Sequence, residues 1–267
     1  MDREQLREVP PIAPAAVDCT RLPKQSFMHT ICSVLSTVCF YVWSIFMGLV
    51  MIPMVFLPRS AFRWFVQLWS RGVFEIFHFI VGIRIEVRGH EFIPTGPSLI
   101  ASKHQSEWET LIFLHLLHDP VYIMKKELGY IPGYGSYARK MKMIFIDRAG
   151  YAKTLRKLIQ DARSTVSTGR SLVIFPEGTR IEPGVKAPYH TGIAALYNAL
   201  DLPVSPVVHN SGLCWPKQSF RKYPGTITIR FLEPIEPGLK RHEFMMRLEE
   251  VMETASDELL SESCPPN

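Results

Sequence analysis

Between Gln25 and Pro58 the sequence has no lysine, arginine, aspartate or glutamate. A soluble surface helix carries a charged face, so the missing charge excludes that reading for this stretch. Its heart, "ICSVLSTVCFYVWSIFMGLVMIPMVFLP", exceeds the roughly 20 apolar residues that cross a hydrocarbon core about 30 Å thick. No small-residue cleavage site follows, which argues against a signal peptide that is removed. Cysteine is also scarce. Cys19, Cys32, Cys39, Cys214 and Cys264 show no CxxC or metal-type spacing, and their odd number argues against a disulfide framework. They read as reduced, cytosol-facing thiols. The chain has no internal repeat and no low-complexity segment.

The next stretch, residues 59–83, carries Arg63, Arg71 and Glu75 among Trp64, Trp69 and five phenylalanines. Such aromatic side chains settle at headgroup level while arginines reach into water. The pattern predicts an anchoring segment over residues 25–83, a hydrophobic helix and an interfacial helix broken near Pro53 and Pro58, behind a polar segment 1–24. Lysine and arginine counts leave its orientation open, because residues 1–24 hold four basic and four acidic residues. Spanning the bilayer and dipping into one leaflet both fit.

From residue 84 to 262 short β-rich runs alternate with helical ones. "IRIEVRG", residues 98–102, "VYIM", "MIFID", 171–175, 203–209 and 226–235 read as strands. Residues 107–118, 151–169, 192–200 and 241–260 read as helices, and 263–267 as a tail. This alternation predicts an α/β domain with a mixed, mostly parallel sheet flanked by helices. In such sheets ligands sit beyond the carboxyl ends of the strands, and three polar motifs stand at such ends.

The first motif is "KHQSEWE", residues 103–109. Ser106 to Glu109 is a capping-box signature, which by itself explains both residues at a helix start. His104 and Glu109 lie roughly 140° apart on an ideal helix, so they meet only if His104 precedes the helix and folds back over its first turn. A helix capped at Ser106 allows this. Glu109 then accepts the Nδ1 proton of His104 and leaves Nε2 to take a proton from a hydroxyl. The second motif is "FPEGTR", where Gly178 permits close backbone approach, Arg180 suits a phosphate, and Glu177 and Thr179 offer hydroxyl contacts. The third is "FIDR", ending in Arg148. From Lys125 to Lys157 nine basic residues face two acidic ones, a surface suited to phosphates, acidic headgroups or an acidic carrier protein. No nucleic-acid recognition module accompanies it.

These motifs in this order, behind an anchor, resemble the 1-acyl-glycerol-3-phosphate acyltransferases. The family pattern has a His-x4-Asp block, an Arg-ended block, a Phe-Pro-Glu-Gly-x-Arg block and a later proline-containing apolar block, matched here by residues 103–109, 144–148, 175–180 and 203–212. This chain departs from it with Glu at 109 for the usual Asp and Lys at 103 for the usual Asn. The resemblance implies transfer of a fatty acyl group from coenzyme A or acyl carrier protein to the sn-2 hydroxyl of lysophosphatidic acid. His104 is then the base and Glu109 its orienting acid. Arg148, Arg180 and Lys126 hold the phosphate, Glu177 touches the glycerol, and Gly178 and Thr179 complete the loop. It implies no metal or prosthetic group, and a place at the inner (plasma) membrane with the catalytic domain on the cytoplasmic side. Another lysolipid acceptor, a hydrolase using the same pair on water, and a non-catalytic lipid-binding protein are the competing readings. Cys214 has no evident base and reads as structural.

Overall fold

The computed structural model describes residues 27–147 and 151–263. The elements in chain order are α1 (Phe27–Met54), α2 (Arg59–Val81), β1 (Ile83–Arg88), β2 (Leu99–Ser102), α3 (Glu109–Leu116), β3 (Val121–Lys125), α4 (Tyr134–Lys140), β4 (Ile144–Ile146), α5 (Tyr151–Val166), β5 (Leu172–Ile174), α6 (Gly192–Leu200), β6 (Val204–His209), α7 (Ser211–Cys214), β7 (Gly225–Phe231) and α8 (Arg241–Ser263).

The charge-free run folds as α1, with Pro53 in its last turn and Pro58 capping α2. Among the described residues α1 is the one helix long and apolar enough to cross a membrane. Most of its apolar length is exposed, unlike the core helix of a soluble domain. Its outer face exposes Phe27, Ile31, Val34, Val38, Val42, Ile45 and Leu49. The other face lies along α2. Gly72 makes the close approach possible, since a Cβ there would meet the Trp43 ring at 2.4 Å. The Trp43 indole N–H donates to the Trp69 carbonyl at 2.9 Å, and that of Trp69 donates to Ser44 Oγ at 3.1 Å. The aromatic residues of α2 therefore divide. Trp64 and Phe79 are exposed as the headgroup reading expects, whereas Phe62 and Phe77 are core residues and Trp69 binds α1. Gly82 ends α2 in the left-handed region at φ 86°, its amide bonding the carbonyls of Phe77 and His78.

The seven strands form one sheet in the order β1-β7-β6-β2-β5-β3-β4. Every adjacent pair is parallel except β6 and β7. This is the mixed, mostly parallel sheet that strand-helix alternation predicts, and helices cover both faces. Side chains in a strand alternate between faces. Leu99 and Ala101 of β2 enter a cluster with Phe244, Leu248 and Met252 of α8, while Ile100 joins Val73 and Phe77 of α2 and Phe113 of α3. Each fully buried aliphatic side chain here contributes roughly 1.5–3 kcal/mol relative to exposure.

Local differences from the sequence reading have local causes. Residues 107 and 108 remain a turn, so α3 starts at Glu109. It stops at Leu116, where Leu117 turns extended ahead of Asp119 at φ 53°. The 226–235 run is strand only to Phe231, and Ile235 makes an isolated antiparallel bridge to Val204. The segment 1–24, Arg148, Cys19 and Cys264 lie outside the described residues.

Candidate active site

The sheet order explains the site. Strand β2 is central, with β5 on one side and β6 on the other, and all three point their carboxyl ends to the same rim. The loop after β2 carries His104, the loop after β5 carries Phe175–Arg180, and β6 delivers His209 and Ser211. The lone "FIDR" strand β4 is two places farther out, beyond β3.

His104 precedes α3 and folds back over its start. Its Nδ1–H donates to Glu109 Oε1 at 2.7 Å, and its ring stacks on Phe175 with centroids 4.1 Å apart. The ring is 16% exposed, and Nε2 makes no hydrogen bond to any described residue. The expected His104–Glu109 contact forms, while the capping box forms only in its Glu109 half, since Ser106 Oγ meets the Trp108 amide and α3 itself starts at Glu109. Glu109 reaches back to the amide of Ser106 at 2.8 Å and to that of Gln105 at 2.8 Å, and Ser106 Oγ accepts the Trp108 amide at 3.0 Å. The hydroxyls of Ser106 and Ser211 reach Oε2 at 2.8 and 3.0 Å. Burial alone would raise the Glu109 pKa. The facing His209 and His104 imidazoles and the hydrogen bonds outweigh it and hold the carboxyl at about 2.

Two of these groups were not in the sequence reading. Ser211 stands on α7, just past β6. His209 is fully buried, and burial lowers its pKa against the pull of the facing Glu109 carboxylate. Its Nδ1 accepts the Ser211 amide at 3.4 Å, so Nε2 carries the hydrogen and donates to the Lys103 carbonyl at 2.8 Å. Gln105 Oε1 accepts the Gly212 amide at 3.0 Å and locks α7 to the same loop.

Glu177 takes a place other than the rim that the sequence reading gave it. Its side chain is sealed from solvent, with Oε2 accepting the His104 amide at 2.8 Å and Oε1 paired with Lys103 Nζ at 2.6 Å. A carboxylate without accessible surface offers no contact to a glycerol. Lys103 is likewise inside, and its ammonium also meets Glu253 of α8 at 2.8 Å. The Tyr189 hydroxyl donates to the same Glu253 oxygen at 2.8 Å. Burial opposes the Lys103 charge, but the two carboxylates win and raise its pKa. Burial pushes the Glu177 carboxyl up.

The rest of "FPEGTR" does face outward. Gly178 sits at φ 67° and closes the turn by donating its amide to the Phe175 carbonyl at 3.0 Å. Thr179 is exposed, and Arg180 forms an ion pair with Glu107 of the first motif. The Ile181 amide donates to the His104 carbonyl at 2.7 Å, joining the two loops directly. Lys126, just past β3, is exposed and pairs with Asp147 at 3.2 Å. Among the described residues no three His, Cys, Asp or Glu side chains are placed to hold a metal. Cys214 is buried, which pushes its thiol up to about 11, away from nucleophile chemistry. A cavity of about 250 Å³ lies behind Trp108, between α2, β1 and Trp215, and His104 is not in its wall.

A family model described as Acyltransferase matches residues 84–210, the stretch from β1 through β6. A Helicobacter pylori 1-acyl-sn-glycerol-3-phosphate acyltransferase is 31% identical over 188 residues, covering 69% of this chain and 78% of that protein. The chain belongs to this acyltransferase family. A Pseudomonas aeruginosa protein of the same description is 41% identical over 172 residues, 64% of this chain and 66% of its own length. The mouse alpha form is 32% identical over 161 residues, and the alignment spans 56% of it. The fold is also that of the 1-acyl-sn-glycerophosphate (LPA) acyltransferase of Thermotoga maritima, with a TM-score of 0.73 at 24% identity, covering 87% of this chain and 98% of that one. Ser211 and Glu253, which steady the His104 loop, lie past the family-matched stretch.

Proposed function

We propose that this acyltransferase moves a fatty acyl group from a thioester to the sn-2 hydroxyl of lysophosphatidic acid, forming phosphatidic acid at a membrane held by α1 and α2. The observation that carries the reading is the 2.7 Å contact fixing His104 Nδ1 to a buried, ionised Glu109. That contact sets the tautomer whose Nε2 lone pair is the base. Nε2 takes the sn-2 hydroxyl proton as the oxygen attacks the thioester carbonyl. The tetrahedral intermediate then expels the thiolate, which recovers the proton from the imidazolium that Glu109 stabilises. The thioester is already activated, so the residues must supply base, orientation, phosphate binding and donors to the developing oxyanion. Arg180 steadied by Glu107, with Thr179, Lys126 and Arg148, supplies the phosphate contacts. Gly178 provides the turn that presents them. Glu177 acts on the substrate indirectly, by fixing the His104 backbone. The donor is soluble, coenzyme A or acyl carrier protein, and reaches a domain on the cytoplasmic side of the plasma membrane.

The test is acyl transfer by the detergent-solubilised chain given lysophosphatidic acid with acyl-coenzyme A and, separately, acyl carrier protein thioester. Phosphatidic acid from either donor supports the reading and identifies the donor. Free fatty acid released without any acceptor, or no product from either donor, contradicts it.

A further inference from the structure

Strand β6 is buried along its whole length and ends in an imidazole, His209, that has no part in the transfer set out above. A buried ring needs partners, and the partner of Nε2–H is the Lys103 carbonyl at 2.8 Å. That carbonyl belongs to the peptide bond leading into His104. The other edge of the same peptide is the His104 amide, which donates to Glu177 Oε2 at 2.8 Å. One peptide plane is thus held from opposite edges, by a ring from β6 and a carboxylate from the loop after β5. The following plane is held too. The His104 carbonyl accepts the Ile181 amide at 2.7 Å, and the Gln105 amide donates to Glu109 Oε1 at 2.8 Å.

His209 also faces the Glu109 carboxylate and meets the Trp108 indole edge-on, with ring centroids 6.3 Å apart. It therefore lies against both members of the pair, beside the backbone that carries His104 and the turn that carries Glu109. Ser102 Oγ donates to the Lys103 carbonyl as well, at 2.9 Å, so loss of the ring would not leave that oxygen bare. What the ring adds is direction, and a misplacement of about 1 Å at a reacting group costs on the order of 10²-fold in rate. We propose that His209 is a positioning residue of the transfer: opposing Glu177 across the Lys103–His104 peptide, it fixes the direction in which His104 presents Nε2 to the sn-2 hydroxyl. Buried to 1% exposure, it touches neither acceptor nor donor. The role rests on His104 as the base. It needs no titration of His209, because Nε2 donates in either protonation state of that ring.

The test follows from the shape of the ring. A glutamine amide at 209 places its nitrogen where Nε2 stands and can donate to the Lys103 carbonyl, whereas an asparagine amide reaches only the Nδ1 position. Transfer is measured on the full chain in detergent, with lysophosphatidic acid and whichever thioester, of coenzyme A or acyl carrier protein, supports turnover. His209→Asn is expected to lower kcat roughly tenfold with KM for lysophosphatidic acid within about twofold. His209→Gln is expected to keep kcat within about threefold of wild type. Without substrate, the carbon-13-labelled His104 ring, assigned from His104→Ala, should shift its NMR signal in the asparagine chain and not in the glutamine chain. Folded variants with equal kcat overturn the role. So does a loss in His209→Asn that appears in KM alone or leaves the His104 signal in place. If asparagine prevents folding, the glutamine chain decides, since a fall of about tenfold in its kcat overturns the role and near-wild-type turnover supports it. His104→Ala turning over like wild type sinks the base instead, a result read independently of position 209.

Discussion

Glu109 and Glu177 are both sealed from solvent and both grip His104, one by its ring and the other by its backbone amide, yet their protons move in opposite directions. Glu109 faces no lysine or arginine. It is satisfied by amides, hydroxyls and an imidazole converging on two oxygens, and it stays ionised. Glu177 has the full charge of Lys103 beside it and one amide, and burial still raises its pKa. At Glu109 the facing His209 and His104 imidazoles, joined by the hydrogen bonds, outweigh burial, whereas at Glu177 burial outweighs Lys103 and one amide.

The sharpest way to break the contrast is Glu109→Gln. It keeps the shape but turns an amide N–H₂ toward the donors and removes the charge behind the imidazole. A kcat loss of roughly 10²–10⁴-fold with KM little changed is expected from steady-state transfer assays. Glu177→Ala acts on folding first. It strands Lys103 with one partner and leaves the His104 amide bare, so chemical unfolding should show a loss of about 3–5 kcal/mol, with a smaller fall in kcat than Glu109→Gln.

Acidity separates the two again. The Glu109 pKa falls from 4.5 to about 2 on folding, worth roughly 3 kcal/mol of stability above pH 4.5. That stability is present while the carboxyl is ionised in both states and is lost as pH drops from 4.5 towards 2. Glu177 has the reverse sign, since the folded chain holds its proton more tightly and acid favours folding through it. Unfolding measured across this range should show a steep acid loss in the wild type, flattened in Glu109→Gln and retained in Glu177→Gln.

The ring grip was legible in the sequence and the backbone grip was not. Ser106 and Glu109 stand at capping-box spacing, and although α3 starts only at Glu109, its carboxylate reaches back over the preceding turn to His104 and the Ser106 amide. Lys103, by contrast, gives no local sign of burial, since it stands in a polar motif past the end of a short strand. The overlooked signal is parity. Leu99, Ala101 and Lys103 share one face of β2, the face covered by α8, and Glu253 follows the buried Met252 on that helix. His209 and Ser211 were missed for a related reason. Their contacts depend on β6 lying next to β2, an order the sequence does not spell out. Strand-helix alternation did disclose the sheet and its parallel character, since buried parallel strands must be linked by covering helices.

Two smaller effects refine the comparison. Glu253→Gln leaves Lys103 its shorter partner, Glu177, so a stability loss of about 1 kcal/mol is expected in the same unfolding assay. Gly178→Ala forces a Cβ into the left-handed region and should cost roughly 1–2 kcal/mol, with a rise in KM for the phosphorylated acceptor rather than a fall in kcat.

The most direct measurement is phosphatidic acid formation by wild type and His104→Ala, side by side, with saturating lysophosphatidic acid and thioester. The account predicts that the variant folds with wild-type stability to within about 1–2 kcal/mol and loses transfer by at least about 10²-fold. A folded His104→Ala chain with wild-type turnover would contradict it, because both buried carboxylates would then be holding a residue that does no chemistry.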